Sequence, residues 1–438
     1  MRWKRAMGCV VAAALTATML TGCGNNAEQS DAKGETAADG KTVHFLTAWN
    51  EDEDITAVVK QLTDDYNATE PETPINLEIE VVAQSDMNQK LSVLAASNDL
   101  PDFFATGTQE YIDTYVDQGL LKNIDELIKE QEVTSISEED REALLSLTKQ
   151  EALYVIPTNK NIEGIWYNKQ MFEELGIEVP KTIDEFMEVC AKLKDAGKQP
   201  LTVAGKEQWP ITRLIGAYAT QAGGTDYLVK ANAGEVSWTD DAFLQAYKWI
   251  QEMGKEGYLG EGTTTVDSDT QNSLFMTGMA AMCYNGSWFT ENLNSEGNTL
   301  GEDVGFFAFP TVENGKGTAD IYTTSYGMYL CVKEEAYDED MGAWLGYVMN
   351  HFGDKSMELH NWITPYAVQN EHEVSYFTQL LLDATENQSA ASVWPEYAMP
   401  TSVQDVEYQG AQMLILDQMT PEDYGKSVDD AWAQVQKK

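Results

Sequence analysis

Positive charge is scarce in this chain. Against 72 Asp and Glu stand only 28 Lys and Arg, a net charge of −44 over 438 residues. Such a surface is repelled by phosphate backbones and anionic headgroups, which excludes nucleic acid and electrostatic docking on lipid as partners. It suits an exported, solvated protein and says nothing of the fold. Histidine is limited to His44, His351, His360 and His372. His372-Glu373 opens the H-E-x-x-H zinc signature, but Tyr376 stands where the second histidine belongs. Asn292, Asn294 and Glu296 to Asp303 echo a calcium loop with the wrong residue types at its first and last positions. No metal and no cofactor are expected. Among the five cysteines there is no C-x-x-C, so no disulfide framework is suggested. Cys283 and Cys331 lie in strand-like apolar runs and read as small buried hydrophobes. G-x-S-x-G is missing, and Ser146-Leu147-Thr148-Lys149 lacks its companions S-D-N and K-T-G. These gaps argue against an enzyme. A glycosidase needs two carboxylates at a set separation, and 72 acidic residues leave that pair open.

Long apolar runs are also missing beyond the first 20 residues, so nothing later approaches the roughly 20 residues that span a bilayer. The N-terminus itself has Arg2, Lys4 and Arg5, then the apolar Val10–Leu20, then Leu20-Thr21-Gly22-Cys23. That order is an export signal. It resembles a bacterial lipoprotein signal, which implies a signal peptide over 1–22 and a lipidated Cys23 as the mature N-terminus. The alternative is an ordinary secretory signal with an incidental cysteine. Gly24, rather than Asp, follows Cys23, so the resemblance does not call for retention in an inner membrane. Residues 24–41 hold no apolar side chain larger than Ala and read as a flexible tether. The rest, with 43% hydrophobic residues and 11 Trp, is globular and too long for a single core, so two domains are expected.

Periodicity supplies the elements. Val43–Ala48 reads as a buried strand. Ile55, Val58, Val59, Leu62 and Tyr66 recur at helical spacing. Ile75, Leu77, Ile79 and Val81 alternate with polar residues, as a strand does. A second helical stripe (Met87, Leu91, Leu94), a short strand at Asp102–Ala105 and a helix ended by Gly119 complete β-α-β-α-β-α, the pattern of a parallel sheet. Tyr154–Pro157 and Gly164–Lys169 read as two strand-like pieces around a polar break. Thr182 and Glu185 form a capping box opening a helix that Gly197 ends. Ile211–Ala222 and the stripe Phe243, Ala246, Tyr247, Ile250 predict two more helices. Gly278 closes another, and Met279–Tyr284 reads as a buried strand broken by Asn285-Gly286, with Trp288 beyond. Val304–Pro310 and the long Ile321–Cys331 read as strands, and the last third as mostly helical, ending in Ser427–Val435.

Several motifs, in order, carry a resemblance. They are the leader, the first strand with Trp49-Asn50, Pro101-Asp102-Phe103-Phe104, and Gly164-Ile165-Trp166-Tyr167-Asn168-Lys169 before the capping box. Phe275-x-x-Gly278-x-Ala280-Ala281-Met282 then runs into Asn285-Gly286-Ser287-Trp288, followed by Ser325-Tyr326-Gly327 and Ile363-Thr364-Pro365. Across the chain from Cys23 this set resembles the extracellular solute-binding proteins of ABC importers, in the sugar-binding group that includes maltose-binding protein. The resemblance implies an α/β, two-lobed periplasmic-binding-protein-like fold of type II with a ligand cleft between lobes. It implies lobe 1 over 42–160 plus 326–366 and lobe 2 over 161–325 plus 367–438, with crossings near Asn159–Glu163, Thr324–Gly327 and Thr364–Ala367. It implies capture of a carbohydrate outside the membrane, delivery to permease subunits, and a monomer anchored by lipid at Cys23.

A sugar site needs aromatic platforms for C–H faces and side chains that donate and accept hydrogen bonds. Candidates fall at strand ends and crossings: Trp49, Asn50, Glu51, Thr106, Thr108, Asn161, Trp209 (in the loop Lys206–Pro210), Trp288, Tyr326, Trp362 and Trp394. For any of the tryptophans the competing reading is lobe packing, and Trp166, Trp238 and Trp249 are read that way. Glu51–Asp54 also suits a solvated helix start. Lys160, Lys206 and Arg213 are the few cations near these loops, which disfavours a phosphate ligand. The alternatives kept open are a receptor for a non-sugar solute such as a polyamine, drawn to carboxylates with aromatic walls, and a secreted glycan hydrolase.

Overall fold

The computed structural model describes residues 40–435, apart from 108, 149, 387, 389 and 397. The leader, Cys23 and the tether up to 39 lie outside these, as does Thr108.

The first sheet grows from alternating β and α segments. Strands β1 (Lys41–Thr47), β2 (Ile75–Val81) and β3 (Phe103–Thr106) are parallel, with β1 in the middle. Helices Asp54–Ala68 and Gln84–Ala96 make the crossovers that parallel pairing requires. The alternation along β2 reflects its place at the sheet edge, where only one face is covered. The second sheet is built on β4 (Asn161–Asn168). It also holds β5 (Gln199–Thr202), β6 (Ala280–Gly286), β7 (Val304–Phe307) and β8 (Ile321–Ser325). β6 pairs with β4 along one side, while β7 and β8 share the other. Gly164 stands where they meet: a Cβ there would lie 2.6 Å from the Phe306 ring and 2.7 Å from the Phe307 carbonyl. Strand β9 (Tyr329–Val332) returns to the first sheet antiparallel to β3, and β10 (Ala390–Ser392) joins the second beside β8.

Each sheet has its own core. The first gathers Phe45, Phe103, Phe104 and Tyr115, with Trp344 and Trp362 from later in the chain. The helix Glu339–His360 lies along Asp54–Ala68, and the buried Trp344 indole donates to Thr63 Oγ1 at 3.1 Å. The second holds Phe186, Trp238, Phe243, Tyr247 and Tyr424 in one cluster and Trp166, Phe275 and Phe289 in another. Burying each of these large side chains is worth about 2–3 kcal/mol.

Among the described residues the chain passes between the sheets three times. Ile156 bridges to Leu330 in the first sheet, and Asn161 already pairs with Ser325 in the second. Ser325 ends β8 and Tyr329 opens β9, so the strand-like run Ile321–Cys331 is two strands of different sheets rather than one. Tyr366 bridges to Ile136 beside the first core, and the helix Tyr376–Glu386 packs on the second. Two other differences matter. Tyr154–Pro157 forms only the single bridge at Ile156, and β6 runs through Asn285-Gly286 instead of breaking there.

Candidate functional site

A cleft of 990 Å³ opens between the two sheets, at the upper end of the roughly 300–1,000 Å³ common for small-molecule sites. Its first wall is Trp49, then Gln84, Met87, Asn88 and Gln89 on the helix Gln84–Ala96, with Gln109 and Tyr111 beside them. Its floor is the crossing chain at Thr158–Asn161 and Thr324–Tyr329. The second wall is aromatic and carries Trp209, Trp288 and Trp394, with Asn272, Asn285 and Gln404 around them.

Local structure explains the aromatic wall. Trp288 lies in the turn Ser287–Phe289 directly after β6, and its ring folds back over the strand end. Only glycine permits this at 286, because a Cβ there would meet the ring at 2.1 Å. Trp209 stands at the start of the helix Trp209–Gly223, not in a loop, and Pro210 suits that first turn. The Trp209 and Trp288 rings meet edge to face, centroids 6.0 Å apart. Arg213 follows Trp209 by four residues, so it lies one turn along the same helix face. Its guanidinium sits 4.2 Å from the Trp209 centroid and 3.6 Å from that of Trp394, sandwiched between indoles.

Arg213 is buried and held by carboxylates. Nη1 donates to Glu163 Oε1 at 2.7 Å and Nε to Glu396 Oε1 at 2.9 Å. The Tyr284 hydroxyl donates to Glu163 Oε2 at 2.8 Å. Burial works against the Arg213 charge, yet Glu163 and Glu396 keep it firmly protonated. Burial pushes the Glu163 carboxyl up, opposed by Arg213. Nearby, burial lifts Glu407 well above the carboxylate range. Glu396 Oε2 has no hydrogen-bond partner among the described residues.

A second polar group lies where the sheets approach. Asp54 lines the cleft at the head of its helix, half-buried, with φ of +49° and its carboxylate accepting from the Ile55 N–H at 2.6 Å. Burial raises its pKa to about 7, Glu291 adding to the effect and His360 opposing it. His360 Nδ1 lies 3.3 Å from Glu291 Oε1, which joins a helix on the first core to one on the second.

The sequence candidates separate on this frame. Trp49, Asn161, Trp209, Trp288, Tyr326 and Trp394 all line the cleft. Asn161 is also structural, since its Oδ1 accepts from Ser287 Oγ at 2.9 Å and so ties β4 to the turn bearing Trp288. The Tyr326 hydroxyl points away, donating to Asp140 Oδ1 at 3.0 Å. Asn50 and Glu51 are exposed outside the cleft; the Asn50 amide donates to Glu53 Oε2 at 2.9 Å, and Glu51 lies 3.9 Å from Lys60. Thr106 is fully buried at the end of β3, opposite Tyr329. Trp362 is 3% exposed in the first core, stacked on His360 at 4.4 Å, so its ring builds the lobe rather than the cleft wall. The carboxylates on Arg213 and the amides Gln84, Asn88 and Gln89 were not among the candidates. The Trp209–Arg213 spacing was a usable signal; the helix with the amides carries only a weak apolar stripe, and nothing in it marks a site.

Among the described residues no group of side chains is arranged to hold a metal ion, and no helix is long and apolar enough to cross a membrane. Residues 48–348 match the family of bacterial extracellular solute-binding proteins. A multiple sugar-binding protein of Streptococcus mutans is 22% identical over 332 residues, 72% of each chain. A maltotriose-binding protein of Pyrococcus abyssi is 26% identical over 245 residues, 56% of this chain and 49% of that one. Among solved structures, a chitin oligosaccharide binding protein superposes with a TM-score of 0.80 at 21% identity, covering 90% of this chain and 99% of its own. A solute-binding protein in complex with raffinose gives 0.70 at 17% identity, covering 89% and 98%. Two sheets with separate cores, a cleft between them and a family match over most of its length place the chain among the bacterial extracellular solute-binding proteins.

Proposed function

We propose that this protein captures a carbohydrate, an oligosaccharide by the size of the cleft, outside the membrane and hands it to the permease of an ABC importer. One observation carries the reading: Trp209, Trp288 and Trp394 form one wall, Trp49 and a row of carboxamides the other. Indole faces take the C–H faces of sugar rings, and amides both donate to and accept from hydroxyls. The lobes are 42–160 plus 326–366 and 161–325 plus 367–438. The three crossings serve as the hinge, and closure brings the amide wall onto a sugar already resting on the indoles. The protein does no covalent chemistry of its own, acts as a monomer, and is tethered by lipid at Cys23. The sugar-binding names of its relatives and the export leader support this reading.

Thermal-shift screening against an oligosaccharide panel tests it. A ligand held only by the folded state adds about 2.7 kcal/mol of stability at a hundred times its Kd. At least one sugar is expected to raise Tm, and Trp288→Ala should abolish that rise while leaving the unliganded Tm within a few degrees. A blank sugar panel with a hit among polyamines would overturn the sugar reading. Release of shorter products from any oligosaccharide by the pure protein would make it a hydrolase.

A further inference from the structure

The carbohydrate reading leaves open which saccharides the cleft accepts, and the charges on its walls bear on this. Arg213 is the one Lys or Arg lining the cleft among the described residues. It is 9% exposed, bonded to Glu163 and Glu396 and covered on both faces by Trp209 and Trp394. The Asp and Glu side chains on the walls are Asp54, Glu207, Glu396 and Asp405. Glu396 is nine-tenths buried, and its second oxygen has no donor among the described residues. The walls therefore carry surplus negative charge.

We infer, building on the proposed sugar function, that the ligand is a neutral or amine-bearing saccharide and that the cleft rejects uronates and sugar phosphates, because its single cation is already committed to Glu163 and Glu396. Arg and Lys are the strongest partners of an anionic group, and among the described residues none on these walls is free to meet one. Here it would instead face like charge in a concave, partly desolvated space where fields are focused. Rejection arises from unmatched charge on the walls, with no steric element required. Hydroxyls and ammonium groups bring donors for the exposed carboxylates of Glu207 and Asp405.

Calorimetry on matched pairs with one backbone tests this. Suitable pairs are xylotetraose with and without a glucuronyl branch, maltotriose with and without a terminal phosphate, and chitotetraose against its deacetylated amine. For a backbone that binds, the neutral member of the first two pairs should bind at least about tenfold tighter than the anionic one, and the amine of the third at least as tightly as its neutral partner. Raising salt from about 0.01 M to about 1 M cuts the screening length from about 30 Å to about 3 Å and should narrow that ratio. Glu207 and Asp405 are exposed, so the double variant Glu207→Gln, Asp405→Asn keeps the fold and should narrow it too. An anionic member bound as tightly as its partner would overturn the inference and leave the sugar function standing. A preference indifferent to both salt and the double variant would make the rejection steric and also overturn it. If no member of any pair binds, the sugar function fails first and this inference with it.

Discussion

At the scale of single residues, the cleft depends on groups that contact each other before any ligand arrives. Gly286 is the simplest case. A methyl at that position would lie 2.1 Å from the Trp288 ring and displace it from the end of β6. Gly286→Ala should weaken sugar binding by about tenfold or more while Tm falls only slightly, as titration calorimetry beside thermal melting would show. Wild-type affinity would mean that the ring position is immaterial. Asp54 gives a pH signature. Its folded pKa of about 7 exceeds the ordinary value of about 3.9, so the native state binds a proton the unfolded chain lacks between those limits. Its destabilising effect is fully present above pH 7, shrinks as pH falls through 7, and is gone below about pH 4. Asn keeps the shape and tolerates the positive φ. Asp54→Asn should therefore raise stability at pH 8 by about 1–2 kcal/mol and change little at pH 4. Equal shifts in Tm at both pH values would refute that assignment. Trp288 was legible from its place after an apolar strand. The carboxylates that hold Arg213 were not, because Glu163, Arg213 and Glu396 meet only through the fold.

At the scale of elements, hydropathy was a good guide wherever an element has one covered face or a complete cap. The helix Asp54–Ala68 and the capping box at Thr182 and Glu185 follow directly from spacing and side-chain chemistry. Hydropathy misled where a run of one character serves two sheets. Ile321–Cys331 holds no charged residue, and its β-branched and aromatic side chains suit a strand from end to end, so the change from β8 to β9 is masked. The mark is Gly327, with φ of +71° and room for a Cβ only 2.6 Å from Thr158 Oγ1. Gly327→Ala should lower stability by about 1–2 kcal/mol from the left-handed backbone alone and more if Thr158 cannot give way. Because the residue sits in a crossing, ligand affinity should fall as well. A wild-type Tm for this variant would show that the crossing tolerates a side chain.

For the whole molecule, the discontinuous cores make the cleft the place where the two bodies meet without sharing an interior. The first core takes residues from the start of the chain and from 326–366, the second from the middle and the end. The pairing of β7 and β8 on one side of β4 was not legible in the sequence, since it is set by contacts remote in sequence. If the crossings act as a hinge, small-angle scattering should show a smaller radius of gyration with saturating sugar than without it. An unchanged profile would point to a cleft that binds without closing. The placement of the tryptophans has one more consequence. Trp166, Trp238, Trp344 and Trp362 are each 3% exposed or less, while Trp49, Trp209, Trp288 and Trp394 stand on the cleft walls. The deeply buried indoles supply a constant emission background, and those on the walls change their surroundings when a solute displaces water. The protein is therefore its own optical sensor: the colour of its intrinsic fluorescence reports occupancy without a dye or a label.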